Sequence, residues 1–326
     1  MSQWAIGIDL GGTAIKAGIV EKGGAIFADR RIPTNATSGP KGITEQLVAI
    51  IVGLYNVGIT TLDFNDFNGV GVGAPGAVDV DKGLLSYPTN LPGWTIFPLR
   101  DELQKCLKAK RGLSIQVFLD NDANVAALGE AVYGAGQGFR DFFMLTLGTG
   151  VGGGIILNRQ LYHGVYGNAG EVGLMNLDFD GTFFHEGKGT LESLVGKKGI
   201  VALARKMIDS SSISSSICEY CNNDYTMLSP RHLEQAALNG DQVALQLWQS
   251  IGSIIGVALA NVTGLMDIRK FIIGGGVSAA NGFFMESVIE QFRQSILPTM
   301  QEGLEIVPAQ LGNKAGMYGA ATLCFG

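Results

Sequence analysis

Five consecutive residues, Asp120-Asn121-Asp122-Ala123-Asn124, follow an apolar run at 115–119 that has the length of a buried strand. Polar side chains at the carboxyl end of a buried strand are a common position for catalytic groups in open α/β sheets. A carboxylate in this position can accept a proton from a reacting hydroxyl group. The same stretch can also simply cap a helix at 123–132, because Asn121 or Asp122 can accept hydrogen bonds from free backbone N–H groups. Taken alone, these residues leave both functions open.

Two glycine turns with similar flanking strands form a second group of candidates. Asp9 ends a predicted strand and precedes Gly11-Gly12-Thr13, after which a second strand begins. The same unit recurs about 135 residues later around Gly148-Thr149-Gly150, which indicates a duplicated lobe. Glycines let a backbone approach a phosphate group closely. An ordinary tight hairpin with an aspartate at the turn explains the first unit equally well.

Residues 148–153 also match the dinucleotide-binding pattern G-x-G-x-x-G. That pattern requires a helix directly after the glycines. The continuation Gly-Gly-Ile-Ile-Leu-Asn has the composition of a strand, so the pattern fails in its context. This argues against a dehydrogenase, and the sequence contains no Walker A motif either.

Four further segments carry polar groups or glycines at or between predicted elements. A long loop at 81–94 contains Asn90, and loops of this length inside a domain are usually functional. A glycine-rich loop at 163–173 carries Glu171. Glu192 lies near the start of a helix predicted over 192–207, where it can also serve only to complement the helix dipole. A strand at 270–273 followed by glycines at 274–276, Ser278 and a helix suits the edge of a nucleotide.

Composition excludes several classes of protein. The chain has 326 residues, 46% of them hydrophobic, and a net charge of −6 without basic clusters, which argues against nucleic-acid binding. We expect no membrane-spanning run, no signal peptide and no N-terminal DNA-binding segment, so the expected location is cytoplasmic. Cys218 and Cys221 have the spacing of a redox or metal pair, but a surface loop without either function is the favoured interpretation.

Eight motifs together resemble the ROK sugar-kinase family in order and spacing, over residue 5 to the C-terminus. They are DLGGT at 9–13, GAPG at 73–76, NLPGW at 90–94, NDAN at 121–124, GTGVGGG at 148–154, AGEVG at 169–173, LE at 191–192 and GGGVS at 274–278. The resemblance implies an α/β protein with a two-lobed actin-like (ribonuclease H-like) fold and a central cleft. It places residues 1–120 and 310–326 in a smaller lobe and residues 121–309 in a larger lobe.

The resemblance also implies an activity and a set of site residues. The activity is ATP-dependent phosphorylation of a hexose or hexose derivative, glucokinase-like, with Asp122 as the general base. The residues implied to bind the sugar are Gly76, Asn90, Asn121, Asp122, Glu171 and Glu192. Those implied to bind ATP are Asp9, Gly11, Gly12, Thr13, Lys16, Gly148, Thr149, Gly150, Gly274, Gly275, Gly276 and Ser278. Asp9 would hold Mg²⁺ through water. The implied assembly is a homodimer that binds neither nucleic acid nor membrane.

One departure from the family pattern affects a metal site and the choice of sugar. The family's zinc-binding His and three Cys positions are occupied here by Leu174, Phe183, His185 and Thr190. One remaining ligand cannot hold a tetrahedral zinc ion, so we expect no structural zinc. The missing histidine also removes a polar contact to the sugar. A kinase of an N-acylhexosamine or fructose, or a non-catalytic sugar-sensing ROK protein, therefore stays open as an alternative.

Overall fold

The computed structural model describes residues 3–63, 66–88, 90–178, 189–222 and 224–326. The chain divides into two compact units. The first contains Met1–Asp141, Gly154–Gly170 and Gln310–Gly326, and the second contains Phe142–Gly153 and Glu171–Ala309. Residues 121–141 and 154–170 thus belong to the first unit, whereas the resemblance implies that they belong to the larger lobe.

A mixed five-stranded sheet forms the centre of the first unit. Its strands are β1 (Trp4–Leu10), β2 (Ala14–Glu21), β3 (Ile26–Pro33), β4 (Phe67–Ala74) and β8 (Val117–Asn121). They are ordered β3-β2-β1-β4-β8. The strands β1, β4 and β8 are parallel, and β2 is antiparallel to both β1 and β3.

Helices cover both faces of this sheet. They are α1 (Gly39–Thr61), α2 (Leu99–Arg111), α3 (Asp122–Tyr133) and α10 (Ala315–Thr322). Alternate residues of β1 point to opposite faces, so Ile6 and Ile8 join the core with α1 and α2 while Ala5 packs with Met317 of α10.

Small residues bring α3 and α10 into direct backbone contact. A methyl group on Gly319 would lie 1.6 Å from the carbonyl oxygen of Val125, and one on Gly129 would lie 2.3 Å from that of Ala315. Neither position therefore tolerates a side chain without moving a helix. This contact explains why α3 belongs to the first unit.

A buried carboxylate, that of Glu130, ties the end of α3 to the chain that enters α10. The Glu130 side chain is 0% exposed, and its two oxygens accept hydrogen bonds from the backbone N–H groups of Ala135, Gln310 and Leu311 at 2.8–3.1 Å. Each of these donors needs a partner, because a buried N–H group without one destabilises the fold.

We expect Glu130→Gln to lower the free energy of unfolding by about 1–3 kcal/mol, because the amide NH₂ cannot accept and leaves at least one of the three donors unpaired. Urea denaturation measures this change. Glu286→Gln on an exposed surface is the matched control and should change the midpoint little. Equal midpoints for both variants would contradict the structural importance of the buried carboxylate.

The second five-stranded sheet repeats the strand order of the first. Its strands are β9 (Phe142–Leu147), β10 (Val151–Leu157), β11 (Gln160–Leu161), β12 (Lys270–Gly274) and β13 (Glu305–Pro308). The order is β11-β10-β9-β12-β13. In each sheet, the two strands that come next in the chain after the first strand lie on one side of it, and two later strands lie on the other side. The strands β9, β12 and β13 are parallel. The duplication predicted from the two glycine turns is therefore confirmed by the topology.

The helices of the second unit surround the long apolar helix α8. They are α4 (Leu191–Val195), α5 (Lys197–Ser210), α6 (Ile217–Tyr220), α7 (Pro230–Leu238), α8 (Gln242–Met266) and α9 (Asn281–Ser295). The helix predicted over 192–207 is in fact two helices, α4 and α5, which meet at Gly196 in an extended conformation. The surface-loop prediction for the cysteine pair is wrong, because Cys218 lies on α6 and Cys221 is buried directly after it.

Two other expectations need correction. The long loop at 81–94 is partly ordered in a three-stranded antiparallel sheet of β5 (Ala77–Asp79), β6 (Leu84–Ser86) and β7 (Ile96–Phe97). Two helical stretches, Ala36–Thr61 and Gln242–Met266, are long and apolar enough to span a membrane, contrary to the expectation from sequence. Half and two thirds of their most apolar windows are buried, so they are core helices of the two units.

Candidate active site

The carboxyl ends of three parallel strands of the first unit place Asp9 and Asp120 at the same edge of the sheet. In the β1–β4 register Asp9 is opposite Gly73, and in the β4–β8 register Gly73 is opposite Asp120. Neighbouring strands lie about 4.8 Å apart, so the two backbones are roughly 10 Å apart across β4. Asn121 and Asp122 follow Asp120 directly at this edge.

Asn121 is the cap of α3, and Asp122 is the first helical residue. The Asn121 Oδ1 atom accepts hydrogen bonds from the backbone N–H groups of Ala123 (2.8 Å) and Asn124 (3.2 Å). Its Nδ2 donates to the carbonyl oxygen of Gly76 at 3.0 Å. The capping interpretation is thus correct for Asn121, and it orients the helix turn that carries Asp122. The carboxylate of Asp122 itself accepts from the N–H of Ala123 at 2.8 Å.

The first glycine turn is a tight hairpin held by its own backbone. Gly11 N–H donates to the carbonyl oxygen of Ala14 at 3.1 Å, and the Thr34 hydroxyl donates to that of Gly11 at 2.6 Å. A methyl group on Gly12 would lie 2.4 Å from Cβ of Asn90, which places the loop asparagine against the turn. The hairpin interpretation is correct, and the open backbone of such a turn can still approach a phosphate group.

Asp9 is paired with Lys16, which lies opposite it in the β1–β2 register. The Lys16 Nζ and Asp9 Oδ2 atoms are 3.0 Å apart, and both side chains are partly buried. A methyl group on Gly316 would lie 2.8 Å from Cγ of Asp9, so the start of α10 also contacts this aspartate. Among the described residues no three acidic, histidine or cysteine side chains cluster as a metal site. A cation at Asp9 would therefore depend on substrate oxygens and water, which is how Mg²⁺ is commonly bound.

The second unit brings its own glycine turns to one sheet edge. In the β9–β12 register Gly274 is opposite Thr146, so the turns that follow these two strands are neighbours. Gly275 has φ 89°, and a methyl group on it would lie 2.2 Å from the carbonyl oxygen of Leu147. Only glycine fits at this position. The Ser278 hydroxyl donates to the carbonyl oxygen of Gly275 at 2.7 Å and so closes the turn.

Glu192 contacts the turn at residues 148–150, which sequence reasoning did not predict. Its Oε2 accepts a hydrogen bond from the backbone N–H of Val151 at 3.0 Å. A methyl group on Gly150 would lie 2.3 Å from the same oxygen, so this glycine makes room for the carboxylate. The N–H of Lys197 also donates to the carbonyl oxygen of Gly148 at 3.1 Å. The glutamate therefore does more than complement the dipole of α4.

Glu171 lies close enough to Glu192 for the two carboxylates to interact. Partial removal from water raises the pKa of Glu171, and the neighbouring negative charge of Glu192 raises it further. Two carboxylates in one place offer several acceptor oxygens, which suits a ligand rich in hydroxyl groups.

Two of the four positions that replace the family's zinc ligands are described by the structure. Leu174 is 71% exposed, three residues after Glu171. The hydroxyl of Thr190 accepts a hydrogen bond from Ser193 N–H and caps α4. Phe183 and His185 lie outside the described residues.

Comparisons with known proteins agree over the whole length of the chain. A sequence model described as the ROK family matches residues 5–325. The glucokinase of Halalkalibacterium halodurans is 35% identical over 98% of this chain and 94% of its own length. A xylose repressor of Caldicellulosiruptor bescii is 27% identical over 78% of this chain and 62% of its own length.

A solved structure also resembles this chain over nearly its whole length. The crystal structure of a ROK family glucokinase from Streptomyces griseus, in complex with glucose and AMPPNP, has a TM-score of 0.81 and 31% identity. The match covers 98% of each chain. The predicted α/β fold with two lobes is confirmed by this similarity.

Proposed function

Because the chain belongs to the ROK family, we propose that it is an ATP-dependent kinase that phosphorylates a hexose or hexose derivative, with glucose as the leading candidate. Asp122 is the general base that accepts the proton of the attacking hydroxyl group. The protein acts in the cytoplasm as a homodimer. The glucokinases among its relatives and the structure bound to glucose and AMPPNP support the substrates.

The strand register at the edge of the first sheet is the observation that carries this proposal. It relates Asp9 to Asp120 through Gly73 of the strand between them, and Asp122 follows Asp120 at the start of α3. A spacing of roughly 10 Å leaves room for a hydroxyl group and a phosphoryl group between the base and the turn. Phosphoryl transfer depends mainly on such positioning and on neutralised charge.

The sugar is bound by carboxylates and amides that pair with its hydroxyl groups. Asn90, Asp122, Glu171 and Glu192 are the proposed sugar-binding side chains. Asn121 already uses its amide oxygen and one N–H within the fold, so its contribution is chiefly to orient Asp122. Gly76 keeps that amide in place through its carbonyl oxygen and has φ 100°, which favours glycine.

The nucleotide is held by glycine turns and one lysine. Thr13 and Lys16 flank the first phosphate turn, Thr149 lies in the second, and residues 274–278 contact the adenosine. Asp9 supplies a hard oxygen ligand suited to Mg²⁺, most simply through water, and Lys16 can turn from Asp9 to a phosphate oxygen. When bound, Mg²⁺ neutralises charge on the phosphates.

A coupled ADP-release assay over a panel of sugars tests the activity. Glucose, mannose, fructose, N-acetylglucosamine and N-acetylmannosamine are each supplied with ATP and Mg²⁺. Turnover of at least one sugar, lowered by about a hundredfold or more in Asp122→Asn, is the expected result. Binding of a sugar without turnover of any would instead identify a sensor, the second candidate that the repressor relatives favour.

We also expect purified protein to contain no stoichiometric zinc, because Leu174, Phe183 and Thr190 cannot coordinate it. Elemental analysis measures this, and one zinc ion per chain would refute the prediction.

Leu174→His should create no metal site but should change the KM of the sugar about tenfold, because it adds a polar partner beside Glu171. An unchanged KM for every sugar would show that Leu174 lies outside the sugar site.

A further inference from the structure

His163 and Asp120 form an ion pair that the proposed reaction does not use. The His163 Nε2 and Asp120 Oδ2 atoms are 2.7 Å apart. The aspartate side chain is only 1% exposed, whereas the imidazole is 33% exposed. A buried carboxylate needs a partner, because burial without one is strongly unfavourable. The imidazole supplies that partner from the rim of the first unit.

The other oxygen of Asp120 reaches the segment that carries Asp122. Its Oδ1 accepts hydrogen bonds from the backbone N–H of Asn121 at 2.7 Å and from Nδ2 of Asn124 at 2.9 Å. Asp120 therefore connects His163 to both ends of the first turn of α3. Asp122 lies between these two anchored residues.

His163 also begins a closed loop. The backbone N–H of Ala169 donates to the carbonyl oxygen of His163 at 3.0 Å, and Gly164 has φ 75°. The loop ends at Ala169, two residues before Glu171, one of the proposed sugar ligands. A change at His163 can thus affect both the base and the path of this loop.

We propose that protonated His163 is a positioning residue, which holds Asp120 and thereby fixes the strand–helix junction that aims Asp122 at the sugar hydroxyl. This inference rests on the proposed kinase function and adds a pH-dependent element to it. His163 acts through its contact with Asp120.

The charges that face the imidazole favour its protonated form. The hydrogen bond to Asp120 raises the pKa of His163 above its ordinary value, and the negative charges of Asp120 and Asp81 act in the same direction against partial desolvation. The stabilisation from this pair is fully present below the unfolded-state pKa, near 6.5, and is lost as pH rises through the higher folded-state pKa. Activity should therefore fall on the alkaline side.

The pH profile of kcat for wild type, His163→Arg and His163→Gln tests the proposal. In wild type we expect kcat to fall about threefold to tenfold through the alkaline limb, the size expected when a charge-assisted hydrogen bond becomes a neutral one. His163→Arg keeps the charge and should lose the limb while retaining most activity at neutral pH. The kcat of His163→Gln should not change over this pH range and should be lower than that of wild type. His232→Gln, which leaves the pair intact, is the control and should keep the wild-type limb.

The imidazole signals in NMR spectra give a second readout. The chain has three histidines, and the signal missing from His163→Gln identifies the residue. We expect it to titrate above the ordinary histidine range in wild type and within that range in Asp120→Asn. An identical alkaline limb in wild type, His163→Arg and His163→Gln would overturn the proposal while leaving the kinase function intact. Absence of turnover with every sugar would overturn both.

Discussion

Asp122→Asn is expected to lower kcat by about 10²–10⁴-fold, the usual contribution of a positioned proton acceptor. The substitution preserves the size of the side chain and an oxygen that can accept from the N–H of Ala123. Sugar binding should therefore change little. Steady-state kinetics give kcat, and calorimetric titration of the sugar gives its affinity in the same variant.

An exposed aspartate on α2 provides a matched control. Asp101→Asn removes a carboxylate near the start of a helix, as Asp122→Asn does, but the Asp101 side chain is 61% exposed. It should leave kcat unchanged. If Asp122→Asn also retained near-normal kcat, Asp122 would have only a structural function in the first turn of α3, and the general-base assignment would be wrong.

Gly150→Ala is expected to lower kcat/KM for the sugar by about tenfold to a hundredfold. The added methyl group would lie 2.3 Å from Oε2 of Glu192, so the carboxylate must move, and we expect it to lose its hydrogen bond with Val151. A sugar hydroxyl that loses a buried partner costs about 1–3 kcal/mol, which gives this range. Kinetics at saturating ATP separate the effect on the sugar from that on the nucleotide.

Gly148→Ala is the matched comparison within the same turn. The nearest atom to a methyl group there is the carbonyl oxygen of Gly150, 4.0 Å away, so the protein itself has room for it. We expect Gly148→Ala to raise the KM of ATP, because the methyl group takes space that the phosphates need, with little effect on the sugar. Equal effects of both variants on the sugar would contradict the contact between Glu192 and the turn. Gly12 is a less specific position for testing phosphate binding, because a side chain there would also contact Asn90.

Local elements were largely determined by the sequence. The strands β1, β9 and β10 flank the two glycine turns, as the sequence predicts. The two glycine turns also predicted a duplication, which appears as the same strand order in both sheets. These features depend on composition over a few residues, since glycine and apolar runs restrict the local backbone strongly. Short strands such as β5 and β7 were not predicted, because they have too few residues to show an alternating pattern of apolar and polar side chains.

The contacts that complete the candidate site were decided by the tertiary structure. Glu130 and Gln310 are hydrogen-bonded although 180 residues separate them in the chain. The contacts of His163 with Asp120 and of Glu192 with Val151 span 43 and 41 residues. Each glutamate or histidine lies in a segment whose local pattern fits equally well with an exposed, solvated side chain. The partner becomes known only when packing brings the strands and helices together. The sequence therefore determined which groups could do the chemistry, and the fold decided which backbone atoms and charges hold them in place.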